Sequence, residues 1–136
     1  MIKNRITIDG VDKTGKDLLV KYIVHLSNHK YVIQARGIIS QIAYSEIYGR
    51  PYKYDLNAYK NDVIFYLTAE DEDLKIRHKI TNEPKIDLER DKKVFDKTAK
   101  YLYKNGIKVI KVDTTHYTPY ENAKLIIEYL EELGNV

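Results

Sequence analysis

Strand-like and helix-like runs alternate along this chain, and few folds are compatible with that order. Runs rich in β-branched residues lie at residues 2–8, 31–35, 63–67 and 107–112. Runs with an apolar residue every three or four positions, typical of helices, lie between and after them. This alternation favours an α/β fold with a parallel sheet and right-handed crossovers. The run at 63–67 is apolar on both faces, as expected of a central strand.

The helix-like runs predict four helices. They extend over about residues 16–28, from Gly37 to Gly49, from Leu88 to Asn105-Gly106, and from Thr118 to Gly134. In the last helix, Thr118 is suited to the N-cap, Pro119 to the first helical position and Glu121 to a capping box. About four parallel strands flanked by helices on both faces predict a three-layer α/β sandwich.

Composition limits the classes of protein to consider. With 136 residues, 43% hydrophobic and 32% charged, one domain spanning 1–136 is expected. Cysteine is absent, which excludes disulfides, cysteine-bound zinc and thiol catalysis and agrees with a reducing cytoplasm. No run approaches the roughly 20 apolar residues of a membrane span, and the start lacks the apolar core of a signal peptide. We therefore expect a cytoplasmic protein without a membrane partner.

Charge argues against nucleic acid as a partner. The net charge is only +3, and the 23 lysines and arginines are interspersed with 20 acidic residues. General binding to nucleic acid depends on clustered cations that displace counterions from the phosphate backbone. The sequence contains no such basic block, so nucleic-acid binding is not suggested.

The segment Gly10-Val11-Asp12-Lys13-Thr14-Gly15-Lys16 carries the clearest chemical signal. It matches G-x-x-x-x-G-K between a predicted strand and a predicted helix, as in P-loop nucleoside triphosphatases. The glycines allow backbone N–H groups to surround phosphate oxygens, while the helix N-terminus and Lys16 supply positive charge. The segment therefore predicts a nucleotide-phosphate site. An ordinary tight turn between strand and helix is the alternative.

One residue departs from this pattern. The usual Ser or Thr that binds Mg²⁺ after the lysine is replaced by Asp17. A carboxylate repels a bare triphosphate unless a cation lies between them. Either Asp17 is itself a hard oxygen ligand for Mg²⁺, or the site no longer handles MgATP in the usual way. Alternatively, Asp17 only favours the positive end of the helix dipole.

Two motifs in order resemble those of the thymidylate kinases and the related small phage deoxynucleoside monophosphate kinases. Ile8-Asp9-Gly10-Val11-Asp12-Lys13-Thr14-Gly15-Lys16 is similar to the family's E-G-x-D-x-x-G-K loop. Arg36-Gly37-Ile38-Ile39-Ser40-Gln41-Ile42-Ala43-Tyr44 is similar to its D-R-Y-x-x-S-x-x-A-Y segment. Nearly the whole chain can be laid along the family in order, with Arg77 at the lid and Thr114 in the adenine-side loop.

The resemblance implies a role for each matching residue. Residues of the donor site, which would bind ATP, are Gly10, Lys13, Thr14, Gly15, Lys16, Asp17 and Thr114. In the acceptor site, Arg36 would bind the phosphate of the second nucleotide, and Asp12 would lie near its 3′-hydroxyl. Ser40 and Tyr44 would line the same pocket, where the ring leaves little room for a 2′-hydroxyl. Lys16, Arg36, Asp12 and Arg77 would be the catalytic set.

The sequence also departs from the family in two further places. Ala35 stands where the family has an aspartate close to Mg²⁺, so Asp17 is a candidate replacement for the lost carboxylate. The first helix runs directly into Tyr31, whereas the family has a further strand and helix that help to hold the acceptor base. Tyrosines or a second subunit of a homodimer could complete that pocket. The tyrosines considered are Tyr48, Tyr52, Tyr54 and Tyr59.

Two functions therefore follow from the resemblance. The first is transfer of the terminal phosphate of ATP, with Mg²⁺, to a deoxynucleoside monophosphate such as dTMP. The second is a catalytically inactive protein that binds a nucleotide and regulates a partner. The altered Mg²⁺ contacts and the shortened acceptor pocket favour the second, and the two motifs favour the first.

Overall fold

The computed structural model describes residues 5–11, 14–81 and 88–134. Asp12 and Lys13, two candidate site residues, and residues 2–4 of the first predicted strand lie outside these ranges. In chain order the elements are β1 (Ile6–Asp9), α1 (Lys16–Leu26), β2 (Ile33–Ala35), α2 (Ile38–Ile47), a 3-10 helix (Leu56–Tyr59), β3 (Val63–Thr68), α3 (Asp71–Thr81), α4 (Leu88–Lys104), β4 (Lys108–Asp113) and α5 (Pro119–Gly134).

The four strands form one parallel sheet in the order β2-β1-β3-β4. Ile8 of β1 lies between its register partners Ala35 of β2 and Phe65 of β3. Strands β2 and β4 are the edges of the sheet. The predicted three-layer α/β fold is confirmed, because helices pack on both faces of this sheet.

The two faces of the sheet have separate hydrophobic cores, and β3 contributes to both. Its side chains alternate, so that Ile64 and Tyr66 face α2 and α4 whereas Phe65 and Leu67 face α1 and α5. The strand is buried along residues 63–67, as the sequence predicted. Because helices cover β3 on both sides, its sequence is continuously apolar rather than alternating.

The start of α5 is as predicted. The Thr118 N–H donates to Glu121 Oε1 at 3.0 Å, and the Glu121 N–H donates to Thr118 Oγ1 at 3.1 Å. This reciprocal pair is a capping box, which satisfies two backbone donors that the helix cannot satisfy itself. It fixes the start of α5 at Pro119.

Replacing Thr118 with Ala should lower the stability of the protein by about 1 kcal/mol, because the cap is lost. Thr118→Ser, which keeps the hydroxyl, is the control and should retain most of the stability. The midpoint of urea-induced unfolding measures both. Equal midpoints for Thr118→Ala and the wild type would show that the cap contributes nothing.

Helix α3 was not among the predicted helices. Its apolar pattern is sparse. Among the described side chains of this helix, Leu74 is buried and Ile76 is exposed. Its charges nevertheless suit a helix, since Asp71, Glu72 and Asp73 lie in the first turn and His78 and Lys79 in the last. The stretch around Arg77, which the resemblance places at the lid, is helical through Thr81.

Strand β2 is shorter than predicted. The predicted residues Tyr31 and Val32 lie before the paired residues, and Val32 is almost fully exposed.

Across the described ranges, helices capable of crossing a membrane are absent.

Candidate functional site

The loop after β1 is held close to the neighbouring strand β3. A Cβ atom at Gly10 would lie 2.8 Å from the backbone oxygen of Leu67 and 2.9 Å from Thr14 Oγ1. Thr14 is buried and donates its hydroxyl to the Val11 oxygen at 2.8 Å. Gly15 has φ +85°, a left-handed conformation that glycine adopts without strain. These contacts turn the chain sharply from β1 into α1.

Replacing Gly10 with Ala should destabilise the protein by about 1–3 kcal/mol, because the new methyl group overlaps backbone that cannot move freely. Gly134→Ala is the control, since a Cβ atom there meets nothing within 4 Å. Thermal unfolding of both variants tests this. The close approach of the loop to β3 would be contradicted if both variants unfolded at the wild-type temperature.

Lys16, the first residue of α1, folds back over this loop. Its side chain is largely buried, and Nζ donates to the oxygens of Gly10 at 2.9 Å and Val11 at 3.1 Å. The ammonium group therefore lies beside the loop and close to the positive N-terminus of α1. A phosphate group at this position would meet a full and a partial positive charge together.

Asp17 lies in the first turn of α1 and is exposed. The part of the chain that the structure describes contains no group of three or more His, Asp or Glu side chains arranged to hold a metal ion. Mg²⁺ commonly binds through one or two carboxylates together with substrate phosphates. A single exposed carboxylate directly after Lys16 fits that kind of site.

A cleft of about 270 Å³ opens beside the loop. Its lining residues are Thr14, Gly15, Leu19, Arg77, Thr114, Tyr117, Pro119 and Asn122. Four of these, Thr14, Gly15, Arg77 and Thr114, were candidates from the sequence, and the fold brings them together. The cleft begins at the loop between β1 and α1 and continues between α1 and the start of α5.

Sequence reasoning missed the other half of this cleft: Leu19, Tyr117, Pro119 and Asn122. Pro119 was assigned only to a helix start. A usable signal was present, because Tyr117 lies in the loop after β4 and Pro119 begins the helix that follows this loop. The carboxyl ends of parallel strands lie on the edge of the sheet where ligands bind.

Arg77 forms one wall of the cleft and is firmly placed. Its guanidinium donates to Asp73 Oδ2 at 2.6 Å, to the Thr114 oxygen at 2.8 Å and to Thr114 Oγ1 at 3.2 Å. Thr114 Oγ1 in turn donates to the Thr68 oxygen. This network ties α3 to the loop after β4, so Arg77 is part of the wall in this structure.

Two charged groups of the same loop, His116 and Asp113, pair with each other next to this wall. His116 Nδ1 lies 2.7 Å from Asp113 Oδ2, and the hydrogen bond and charge of Asp113 raise the pKa of His116. The backbone N–H of His116 and its side chain lower the pKa of Asp113. The opposite shifts mean that each group favours the charged form of the other.

Arg36 lies at the same edge of the sheet as the loop between β1 and α1. It directly follows Ala35, the register partner of Ile8, and its N–H donates to the Ile8 oxygen at 2.7 Å. Arg36 has φ +74°, which costs a non-glycine residue roughly 1–2 kcal/mol. Strained backbone of this kind persists where the surroundings enforce it.

The two other predicted acceptor residues lie on α2. The Ser40 side chain is buried, and its hydroxyl donates to Asp9 Oδ1. Tyr44 is half-buried, and its ring packs edge-on against Phe95 with centroids 5.1 Å apart. Ser40 therefore faces the end of β1, whereas Tyr44 contacts the core under α4.

The tyrosines expected to compensate for the missing segment pair mainly with neighbouring side chains. Tyr48 stacks on Tyr44, and Tyr52 stacks on Tyr54. The Arg5 guanidinium lies 5.2 Å from the ring centre of Tyr59. Stacking of these rings on a nucleotide base remains a prediction.

Comparisons with known proteins establish the fold. The chain matches no protein-family model. It also matches none of the curated proteins. Among solved structures it is similar to the YorR protein of Bacillus subtilis, crystallised in complex with phosphorylated GDP. The TM-score is 0.76 over 98% of this chain and 99% of that chain, at 16% sequence identity.

Proposed function

We propose that this protein transfers the terminal phosphate of ATP to a deoxynucleoside monophosphate, dTMP or a related pyrimidine nucleotide. The observation that carries the proposal is the position of Arg36. Its predecessor Ala35 is the register partner of Ile8, so Arg36 and the proposed phosphate loop, residues 10–16, follow adjacent strands at the same edge of the sheet. Arg36 would then supply a cation for the acceptor phosphate beside the site proposed for the donor phosphates.

The donor nucleotide would occupy the cleft that starts at the loop. Its phosphates would contact the backbone around Thr14 and Gly15 and the ammonium of Lys16. Its base would extend between Arg77 and the Tyr117 and Pro119 side chains, which line the same cleft. The binding of a nucleotide by YorR, a protein of the same fold, supports this assignment.

The acceptor would bind through Arg36, whose planar guanidinium can engage two phosphate oxygens at once. Asp12, outside the described residues, is the proposed partner of the 3′-hydroxyl. Tyr44 would limit the space at the 2′ position. The choice of thymine or a related base rests on the motif resemblance alone.

The reaction needs positioning and positive charge more than covalent chemistry. An oxygen of the acceptor phosphate attacks the terminal phosphorus of ATP as the bond from that phosphorus to the bridging oxygen breaks. The products are ADP and the deoxynucleoside diphosphate. Lys16 on the donor side and Arg36 on the acceptor side would offset the charge that spreads over the transferred group.

A magnesium ion would be held by Asp17 together with substrate phosphates. When bound, it would neutralise phosphate charge at the donor site. Asp9 is unavailable for this role, since its carboxylate oxygens already accept four hydrogen bonds and a carboxylate has about four lone-pair sites. Asp17 is therefore the better candidate of the two.

Asp17→Asn should abolish magnesium-dependent turnover, with a loss of about 100-fold or more, because the amide is a weak ligand for Mg²⁺. Steady-state rates across a magnesium titration measure the effect. Glu128→Gln, on the exposed face of α5, removes the same charge elsewhere and should leave the rate unchanged. Full activity of Asp17→Asn would rule out the metal role.

Product formation tests the function itself. Purified protein is incubated with MgATP and each deoxynucleoside monophosphate, and the nucleotides are separated by ion-exchange chromatography. Equal amounts of ADP and one deoxynucleoside diphosphate are expected. ADP formed without an acceptor product would indicate a hydrolase instead.

A nucleotide-binding protein without catalytic activity is the second candidate. It is favoured by Asp17 in place of the hydroxyl residue and by Ala35 in place of the family aspartate. Such a protein would be stabilised against heat by ATP or a monophosphate, yet would form no product. Thermal shift and product assays on one preparation separate the two functions.

A further inference from the structure

Asp9, the last residue of β1, is fully buried and connects two parts of the proposed site. One carboxylate oxygen, Oδ1, accepts from the Gly10 N–H at 3.0 Å and from the Ser40 hydroxyl. The other, Oδ2, accepts from the N–H groups of Gly37 at 3.0 Å and Ser40 at 2.9 Å. The phosphate loop and the start of α2 are thus held by one side chain.

The contact with α2 takes the place of an ordinary helix cap. Gly37 occupies the N-cap position and has no side chain that could accept a hydrogen bond. Asp9 supplies the acceptor from the neighbouring strand, and its negative charge favours the positive end of the helix. A Cβ atom at Gly37 would lie 3.1 Å from the Thr7 side chain, so glycine permits this close approach.

The same contact fixes the backbone of Arg36. The Arg36 N–H is held by the Ile8 oxygen at 2.7 Å, and the next N–H, that of Gly37, is held by Asp9 Oδ2. Gln34 Nε2 donates to the Arg36 oxygen at 3.2 Å. The left-handed conformation of Arg36 therefore has a fixed partner on each side, and that conformation sets the direction in which its side chain leaves the backbone.

We propose that Asp9 is a positioning residue that sets the geometry of the acceptor-binding Arg36 relative to the phosphate loop. The inference rests on the proposed function and adds a residue to which the sequence motifs assign no role. Asp9 touches neither nucleotide and acts through Arg36 and Gly10. Its loss should therefore affect the acceptor more strongly than the donor.

A double-mutant cycle between Asp9 and Arg36 tests this. Asp9→Asn keeps the volume but replaces one acceptor oxygen with an NH₂ group that faces N–H donors. In the wild-type background it should raise the KM of the acceptor about 10- to 100-fold, since small misplacements of a binding group are costly. In an Arg36→Met background the same change should raise that KM less than about 3-fold.

Ser40→Ala provides a milder variant should Asp9→Asn fail to fold. It removes one hydrogen bond to Oδ1 and leaves both bonds to Oδ2. It should raise the acceptor KM about 3- to 10-fold and lose this effect with Arg36→Met. Urea unfolding reports stability separately. The proposal would be overturned by a folded Asp9→Asn variant with an unchanged acceptor KM. It would also be overturned if the fold-changes in acceptor KM of the single mutants simply multiplied in the double mutants, because the two positions would then act independently.

The test remains decisive if the wild type forms no product. The dissociation constants of dTMP and of ATP are then measured by calorimetry in the same variants. Weaker dTMP binding that is non-additive with Arg36→Met supports the role of Asp9 although catalysis is absent, and additive effects reject it. If the wild type binds neither nucleotide, the proposed function fails, and the role of Asp9 fails with it.

Discussion

Lys16→Met should reduce kcat by about 100- to 1000-fold, the range found when a group that stabilises transition-state charge is removed. The methionine keeps most of the side-chain volume but cannot donate to the Gly10 and Val11 oxygens. We expect weaker ATP binding as well, because the loop then lacks its full positive charge. Single-turnover rates and calorimetric titration with ATP measure the two effects.

Lys21→Met is the control for this variant, since Lys21 lies on the same helix and is exposed. It should retain the wild-type rate and ATP affinity. Urea unfolding of both variants shows whether the buried position of Lys16 contributes to stability separately from catalysis. A Lys16→Met protein that is folded and fully active would remove the basis for the phosphate site.

Arg36→Met should reduce kcat/KM for the acceptor by about 100- to 1000-fold while ATP affinity changes little. The physical reason is that the acceptor phosphate loses its bidentate cation, whereas the donor loop keeps Lys16. Arg36→Lys should recover only part of the loss, because an ammonium group cannot form the same pair of bonds. Initial rates at varied dTMP and fixed ATP measure this.

The matched control is Arg50→Met, which removes an exposed arginine beyond the end of α2. It should leave both kinetic constants at their wild-type values. A loss of equal size for Arg36→Met and Arg50→Met would indicate a general effect of surface charge. A large rise in the KM of ATP in Arg36→Met would assign the arginine to the donor site.

Much of this architecture could be predicted from the sequence, because its signals are local. The continuous apolar run of β3 and the capping residues of α5 each have a sequence pattern that directly reflects the structure. Helix α3 lacked such a pattern. It is stabilised by charges at its ends and by the contact of Arg77 with Thr114, 37 positions along the chain.

The candidate site was predictable only where its residues are contiguous in the sequence. The loop between β1 and α1 is one contiguous segment, so Thr14, Gly15 and Lys16 were accessible to sequence reasoning. The hydrogen bonds from Asp9 to Gly37 and Ser40 span about 30 positions, and no periodicity reveals them. The place of Tyr117 after β4 indicated the right edge of the sheet, but its contact with this cleft depends on where β4 ends relative to α1.

The edges of the sheet also limit how two copies of the chain can associate. Exposed strand edges invite pairing with another chain, and short strands or lysines discourage it. Edge strand β2 has only three residues, and edge strand β4 carries the exposed Lys108 and Lys111. These features oppose pairing with a strand of another copy, and therefore fibre growth, at both edges of the sheet. A homodimer that completes the acceptor pocket would consequently associate through helices or loops.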